Sequence, residues 1–271
     1  MRYSNQPERE GINAQAGKGE GREFLLLGAS FLVAAGLLSL LFVRAGALLG
    51  PLMPFAWEAA LVPDAAFASL DTGDERTRQR LQTLSNDIAK ALDMPPNMAI
   101  TLHYSKADTV NAFATFGGHM VVFDGLLKKL GSEDAVTALL AHELAHVKHR
   151  HVIKGATGTL LANLLWSALG WGGDVAALDV SGFSQLSMLS SLSMTRDMER
   201  QADAEALRAV LTRYGHAGGY FALFETLGDI AGHDADGLDM LQTHPDVADR
   251  IASAQAQISI EQRSGALTAW P

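Results

Sequence analysis

Hydrophobic and polar positions divide the chain into a polar start, one long apolar run and a region of shorter, alternating patterns. Residues 1–22 are polar, carry charges of both signs and lack the periodicity of a helix or strand, which predicts a flexible tail. From Phe24 to Val43 the chain has no charged residue, and about twenty residues in a helix match the thickness of a bilayer core. We therefore predict a transmembrane anchor at residues 23–49. Two alternatives stay open, namely a buried core helix and a signal peptide cleaved near Ala45.

Lysine and arginine are more frequent before the apolar run than directly after it. Short loops on the cytoplasmic side of a membrane carry more of these residues than loops on the other side. The pattern therefore leaves the N-terminus in the cytoplasm and sends the large C-terminal part of the chain across the membrane. The residues counted are Arg2, Arg9, Lys18 and Arg22 before the run, and Arg44 alone after it up to Arg76.

The rest of the chain has the pattern of a short connection followed by one domain. Prolines between residues 50 and 70 predict a linker, residues 71–263 are the predicted domain, and residues 264–271 are a C-terminal tail. Leucine and isoleucine recur at helical spacing from about Asp74 to Leu92. The later segments predict a mainly helical α+β fold with a small β-sheet. Strands are predicted at Ala99–Tyr104, Val110–Ala114 and His119–Phe123, and helices at Ser132–His151, at Thr195–Tyr214 and from Pro245 onward.

Composition narrows the functions that such a fold can have. Hydrophobic residues make up 48% of the chain and charged residues 19%, which fits a globular protein with a membrane-associated part. The formal net charge of -9 and the absence of a basic cluster argue against a nucleic-acid partner. The chain has no cysteine, so disulfides, cysteine zinc sites and thiol nucleophiles are excluded. Histidine, aspartate and glutamate are left as candidate metal ligands.

A His-Glu-x-x-His pattern lies on the predicted helix that begins at Ser132. Its residues are His142, Glu143 and His146, and two histidines four residues apart on a helix project from one face and can share a metal ion. The glutamate beside the first histidine is then angled toward a metal-bound water and can act as a base. The alternative is a solvated helix face on which histidine and glutamate happen to alternate.

A catalytic zinc site needs a third protein ligand and an open position for water. A continuation of the metzincin type is excluded, because it requires Gly and His where this chain has His149 and Val152. Glu199 is the candidate ligand, and Asp203, one helical turn further on, can accept a hydrogen bond from a ligand imidazole. An exposed acidic pair on a surface helix is the alternative. We interpret His149 and His151 as non-ligands, because a third ligand on one straight helix lies too far along its axis.

Several stretches that are far apart in the chain form one sequence pattern. They are Asn111–Ala114, Gly117–Leu127, His142–His151, Glu199–Asp203 and Thr243–Ile251. Together these stretches resemble the M48 family of zinc metallopeptidases, which includes the Ste24, HtpX and Oma1 types. The resemblance covers most of residues 75–255 and implies a zincin-like catalytic domain of the gluzincin class.

The resemblance implies a reaction as well as a fold. Zinc lowers the pKa of a bound water, a glutamate removes its proton as the water attacks a peptide carbonyl, and the glutamate then protonates the leaving amine. A histidine helps to stabilise the charge that develops on the carbonyl oxygen. One zinc ion per chain is expected. The implied roles are metal ligand for His142, His146 and Glu199, catalytic base for Glu143, imidazole partner for Asp203 and transition-state stabilisation for His244.

An extended polypeptide substrate is expected to add to the edge of the sheet. Strand addition needs unpaired backbone groups more than particular side chains. An ordinary core strand is the alternative interpretation of the same segment. The predicted substrate strand consists of Gly118, His119, Met120 and Val121.

The leading hypothesis is a membrane-anchored zinc endopeptidase that handles misfolded or membrane-associated proteins, a quality-control role implied by the resemblance. We expect a single-pass protein of a bacterial inner membrane whose catalytic domain lies in the periplasm. The competing hypothesis is a non-catalytic, zinc-stabilised module that holds unfolded chains. A purely structural zinc site would fill the fourth position with a protein ligand and would not need Glu143, so the sequence favours the enzyme.

Two later stretches of low charge, residues 155–173 and 175–194, raise a question of topology. If only the first crossed the membrane, His142 and Glu199 would lie on opposite sides and could not share a metal ion. Either both stretches cross or neither does. The second contains Asp179 and six serines, which makes it a poor span, and we predict that neither crosses.

Overall fold

The fold is mainly helical, with one three-stranded sheet among the described residues. The computed structural model describes residues 20–70, 74–157, 167, 194–233 and 247–271. The helices are α1 Glu20–Leu49, α2 Phe55–Leu61, α3 Glu75–Ala91, α4 Asp124–Leu130, α5 Glu133–Lys148, α6 Arg196–Tyr214, α7 Gly218–His233 and α8 Val247–Gln257. The strands are β1 Thr101–Ser105, β2 Ala112–Ala114 and β3 His119–Phe123. The predicted α+β class is confirmed.

The apolar run forms one continuous helix, α1. Among the described residues it is the one helix that is long and apolar enough to cross a membrane. Its apolar side chains are exposed, for example Leu25 at 73% and Leu27 at 70%. This exposure argues against the buried core helix and favours a membrane-associated segment.

The two helices that carry the predicted site begin at their capping residues. Ser132 caps α5 by accepting a hydrogen bond from a backbone amide at 3.2 Å, and Thr195 caps α6 in the same way at 3.3 Å. Both starts agree with the sequence pattern. α5 ends at Lys148 instead of His151, because Arg150 has a φ of 59°, a left-handed conformation that cannot continue an α-helix.

β3 is the central strand of the sheet, whose order is β1-β3-β2. β1 pairs with it in parallel and β2 pairs with it in antiparallel fashion. The backbone of β3 is therefore occupied on both sides, whereas strand addition requires an unpaired edge. This corrects the predicted substrate strand, which was Gly118, His119, Met120 and Val121.

Residues 50–70, the predicted linker, fold against the sheet. Val62 and Phe67 lie in one buried apolar cluster with Val121 and Phe123. The opposite face of the sheet belongs to the main core, together with α3, α5 and α7. Both faces of this small sheet are thus covered, one of them by the segment that follows α1. The predicted domain boundaries stay a prediction.

The predicted C-terminal tail, residues 264–271, contacts the start of α5. The carbonyl of Thr268 accepts a hydrogen bond from the amide of Glu133 at 2.8 Å, and the amide of Trp270 donates to the carbonyl of Gly131 at 3.0 Å. The first bond satisfies a backbone amide at the start of α5, which otherwise lacks a partner within the helix. The second satisfies the carbonyl of the residue that ends α4.

Parts of the sequence prediction fall outside the described residues. They include most of the two stretches at 155–173 and 175–194, together with His244 and the helix start at Pro245. Conversely, α4 and α7 were not predicted, and α7 packs along α5 beside the candidate site.

Candidate metal centre

The two histidines of the His-Glu-x-x-His pattern meet a glutamate from α6. The Nε2 atoms of His142 and His146 are 3.0 Å apart, as expected for side chains one turn apart on α5. Glu199 lies opposite them, with Oε2 3.6 Å from His142 Nε2 and Oε1 3.6 Å from His146 Nε2. All three side chains are buried, and they form one group of potential ligands within 4.8 Å of one another.

The spacing of this group fits a tetrahedral zinc site. Ligand atoms about 2.0 to 2.1 Å from a zinc ion at tetrahedral angles lie about 3.3 Å from one another. The observed separations of 3.0 and 3.6 Å bracket that value. Two imidazoles and a carboxylate are also a donor set that suits zinc.

Formal charges around the site also favour a divalent cation. Glu199 and Asp203 contribute two carboxylates, and Arg250 contributes one guanidinium that contacts both of them. The carboxylate of Glu143 is buried on the same helix as the two histidines. Carboxylates beside imidazole nitrogens attract a divalent cation, so the electrostatics agree with the ligand geometry.

Asp203 lies one turn beyond Glu199 and contacts the other nitrogen of a candidate ligand. Its Oδ1 is 3.1 Å from Nδ1 of His142. Burial by itself would raise the pKa of Asp203, but hydrogen bonds from His142 and Arg250 outweigh burial and lower the pKa to about 2. The carboxylate therefore stays ionised at neutral pH and can hold the imidazole with Nε2 toward the ligand group.

Arg250 of α8 contacts Glu199 and Asp203 of α6. Its Nε and Nη2 donate to the two carboxylate oxygens of Asp203 at 2.8 and 2.6 Å, and its Nη1 lies 3.2 Å from Oε2 of Glu199. The guanidinium carbon is 4.4 Å from the ring centre of Phe224 in α7. Sequence reasoning noted Arg250 as part of the resemblance and gave it no role. A buried, bidentate arginine fixes both carboxylates in position.

His151 is a second residue whose role sequence reasoning missed. Its Nδ1 is 2.9 Å from Nδ1 of His146, and its Nε2 is 3.0 Å from Oε1 of Gln201. Burial lowers the pKa of His151 to about 4, so the ring is neutral at neutral pH. The left-handed turn at Arg150 ends α5 just before this residue.

These contacts define a relay that selects one tautomer of His146. In this arrangement the amide oxygen of Gln201 only accepts, so His151 carries its proton on Nε2 and accepts at Nδ1. His146 then donates from Nδ1, which leaves its Nε2 as the nitrogen with the lone pair. That nitrogen is the one directed at Glu199 and His142.

Glu143 contacts the edge strand of the sheet. Its Oε2 accepts a hydrogen bond from the amide of Ala114 at 2.9 Å, and its side chain is buried. The ladder bond from the Thr115 amide to the carbonyl of His119, at 2.8 Å, shows that alternate residues of this strand bond to β3. Ala112 and Ala114 therefore direct their backbone groups away from β3, on the side where Glu143 lies.

The remaining described histidines stand apart from the ligand group. His149 Nε2 is 3.3 Å from Oε1 of Glu205. His103 and His119 form a separate buried pair, with Nε2 and Nδ1 3.0 Å apart and the ring of His103 stacked on Phe67. None of these belongs to the group of potential metal ligands found in the described part of the chain. His244 lies outside the described residues.

A family comparison agrees with this geometry. The family model for peptidase family M48 matches residues 75–258, which is more than half of the chain. The chain belongs to peptidase family M48. The resemblance read from separated sequence stretches is thereby confirmed, and the M48 match includes every residue of the ligand group.

The chain is similar to several named proteases, and each match covers part of the relative's length. Mitochondrial metalloendopeptidase OMA1 of Schizosaccharomyces pombe is 29% identical over 178 residues, which are 63% of this chain and 51% of that protein. The beta-barrel assembly-enhancing protease of Escherichia coli is 29% identical over 163 residues, 55% of this chain and 32% of that protein. Metalloprotease LoiP of Escherichia coli is 26% identical over 196 residues, 72% of this chain and 75% of that protein. This chain thus spans about a third to a half of the first two relatives.

Proposed function

We propose that the protein is a zinc-dependent endopeptidase anchored in a membrane. The observation that carries the proposal is the buried group of His142, His146 and Glu199 with Glu143 adjacent in the chain and held by an edge strand. His142, His146 and Glu199 are the proposed ligands of one zinc ion per chain. A zinc ion held by these residues would supply Lewis acidity for activating water near neutral pH and for polarising a peptide carbonyl.

The residues of the chain then have separate tasks in peptide hydrolysis. Glu143 takes the proton of the attacking water and passes it to the leaving amine, while the Ala114 amide holds its carboxylate in place. Asp203 and His151 hold the outer nitrogens of the two histidines. His244 keeps its proposed role as a donor to the charge that develops on the carbonyl oxygen.

A polypeptide substrate is proposed to bind along β2. The outward backbone groups of Ala112 and the outward carbonyl of Ala114 provide the edge that β3 lacks, while the amide of Ala114 stays bonded to the proposed base. Addition of an extended segment there would bring a peptide bond to the metal centre by backbone hydrogen bonds alone. Such binding selects extended, unfolded segments over folded ones.

The proposed biological role is quality control of misfolded or membrane-associated proteins. Two observations favour this role. The first is the apolar helix α1, and the second is the similarity to the beta-barrel assembly-enhancing protease of Escherichia coli. The proposed location is a bacterial inner membrane, with the peptidase domain on the periplasmic side as the basic residues before α1 predict.

A non-catalytic zinc module that holds unfolded chains is the competing function. A structural zinc site uses four protein ligands, whereas the ligand group in the described residues has three members. The buried glutamate beside it also has a use in catalysis and none in a closed structural site. Both points favour the enzyme.

Cleavage of an unfolded substrate by the full chain tests the proposal. Glu143→Gln should keep about one zinc ion per chain and lose at least about 100-fold in the cleavage rate of casein, because the base is removed and the ligands are kept. The exposed Glu225→Gln on α7 is the matched control and should cleave like the native chain. Binding of casein without cleavage by the native zinc-loaded chain would support the holding module instead, and near-native cleavage by Glu143→Gln would exclude Glu143 as the base.

A further inference from the structure

The exposed side of α2 is apolar, which is the reverse of an ordinary surface helix. Leu52, just ahead of the helix, is 76% exposed, and Trp57 is 67% exposed. Ala56 and Ala60 lie on the same exposed side, since residues three and four apart share a helix face. The one charged residue in the helix sequence, Glu58, is only 3% exposed. A helix with its carboxylate inside and its indole outside is poorly suited to face water.

The inner side of α2 is fixed to the peptidase domain. Nη2 of Arg150 lies 2.6 Å from Oε2 of Glu58, and the amide of Gly117 donates to Oε1 of Glu58 at 3.3 Å. Gly117 has a φ of 69°, and a Cβ added there would lie 2.5 Å from the Cα of Ala59. Rotation of α2 would break a buried ion pair and this close packing, so its apolar side stays outward.

The apolar side of α2 continues the exposed surface of α1. Leu48 and Leu49 at the end of α1 are 75% and 60% exposed, and α2 begins at Phe55 after a single 3-10 turn. From Leu48 onward, the first exposed charged residue is Asp64. Tryptophan is enriched where a protein crosses from the hydrocarbon into the headgroups, and Trp57 stands a few residues beyond the candidate span.

We propose that residues 50–62 form a foot that rests in the surface of the bilayer. In this foot, Leu52, Trp57 and Ala60 contact lipid, and the inner side holds the peptidase domain. A short helix of this kind lies parallel to the membrane with its apolar face about 5 to 10 Å into the headgroup boundary. Glu58 of the foot pairs with Arg150, and Arg150 lies between α5 and His151 in the chain. The foot would therefore also hold the metal centre at a set orientation near the membrane.

The absence of cysteine allows single probes to test the foot in the full chain. Ala56→Cys and Ala60→Cys place a fluorescent NBD group on its outer side, and Ala91→Cys places one at the exposed end of α3 as the matched control. Ala34→Cys, on the exposed surface of α1, reports insertion into the bilayer. Each labelled chain is reconstituted into vesicles of phosphatidylcholine and phosphatidylglycerol.

Lipid contact should separate the probes into two classes. Nitroxide-labelled lipid should quench the probes at positions 34, 56 and 60, and aqueous iodide should quench the probe at position 91 at least about threefold more strongly than those on the foot. Foot probes that respond like the probe at position 91 would overturn the proposal. An unquenched probe at position 34 would overturn it as well, because the foot continues a helix that must lie in the bilayer. The foot rests on the membrane anchor of the proposed function, and the two fail differently: unquenched foot probes beside a quenched probe at position 34 would remove the foot alone, whereas an unquenched probe at position 34 would remove the anchor too.

Discussion

His142 and His146 are oriented by partners of different charge. Nδ1 of His142 faces the carboxylate of Asp203, whereas Nδ1 of His146 faces the neutral imidazole of His151. A carboxylate makes a ligand imidazole more basic, while a neutral acceptor mainly fixes its tautomer and direction. The contribution of His151 should therefore appear as a loss of metal affinity when its acceptor nitrogen is removed.

Substitution of His151 tests the relay at the level of single atoms. His151→Phe keeps the volume and removes the acceptor, which leaves the Nδ1–H of His146 buried without that partner. We expect zinc affinity to fall by roughly 10- to 100-fold, as for other groups that hold a ligand imidazole. His151→Asn offers a side-chain oxygen near the same position and should recover part of the loss. Competition with a chromogenic chelator measures the affinities.

His149→Phe is the matched control for this prediction. His149 lies on the same turn, contacts Glu205 and is absent from the ligand group. The zinc affinity of the His149→Phe variant should equal that of the native chain. Circular dichroism should show that both phenylalanine variants fold. Native affinity in His151→Phe would remove His151 from the metal centre, and equal losses in both variants would point to general disruption of the turn.

At the scale of elements, sequence patterns located the helices that bear the ligands. Caps at Ser132 and Thr195 mark the starts of α5 and α6. The chemistry is carried by residues one turn apart, His142 with His146 on α5 and Glu199 with Asp203 on α6. These signals are local, because a cap and a face are both defined within a few residues. Their local nature explains why they could be read without a structure.

Features that depend on distant contacts were not visible in the sequence. A short run of strand-forming residues after Gly117 and Gly118 identified β3 as a strand, but its central place in the sheet depends on which strands pair with it. α7 has four glycines in its sequence, which lower helix propensity, and packing of Tyr220 and Phe224 compensates. Arg250 acquires its role from an acid 47 residues away in sequence. No local pattern specifies such a pairing.

The ion pair between α2 and the turn after α5 is expected to stabilise the domain strongly. Glu58 and Arg150 are both largely buried, and burial raises the pKa of Glu58 while the guanidinium opposes that rise. Glu58→Gln would leave the arginine charge buried without a counter-charge, at a cost of about 3 kcal/mol. For a domain of this size, we expect the Tm of the full chain in detergent to fall by about 6 to 12 °C.

Two further variants make this prediction specific. Glu75→Gln removes an exposed partner of Arg78 and should shift the Tm by no more than about 4 °C, since exposed pairs contribute about 0 to 1 kcal/mol. The double variant Glu58→Leu with Arg150→Met removes both charges and should regain most of the lost stability. Equal Tm values for Glu58→Gln and Glu75→Gln would show that the buried pair contributes little.

At the scale of the whole molecule, the folded body extends up to the end of α1. Residues 50–70 supply one cover of the sheet, and Phe67 within them is fully buried against Val121 and Phe123. We therefore expect the peptidase domain to need this segment for its core, in addition to any contact of the segment with lipid. A boundary near residue 71, as the sequence predicts, would cut through that core.

Two truncations of the chain distinguish these boundaries. The fragment 50–271 keeps the cover of the sheet and should fold and bind about one zinc ion. The fragment 71–271 exposes the apolar face of β3 and should aggregate or lose its metal. Loss of the Phe67 side chain alone costs about 3 to 5 kcal/mol, and the free energy of unfolding of a typical domain is about 5 to 15 kcal/mol.

Phe67→Ala within 50–271 isolates the contribution of this one side chain to stability. Leu52→Ala, at an exposed position, is its matched control. Circular dichroism, urea unfolding and zinc content, all measured in detergent, report the outcome. A fragment 71–271 as stable and zinc-loaded as 50–271 would mean that residues 50–70 are a linker after all.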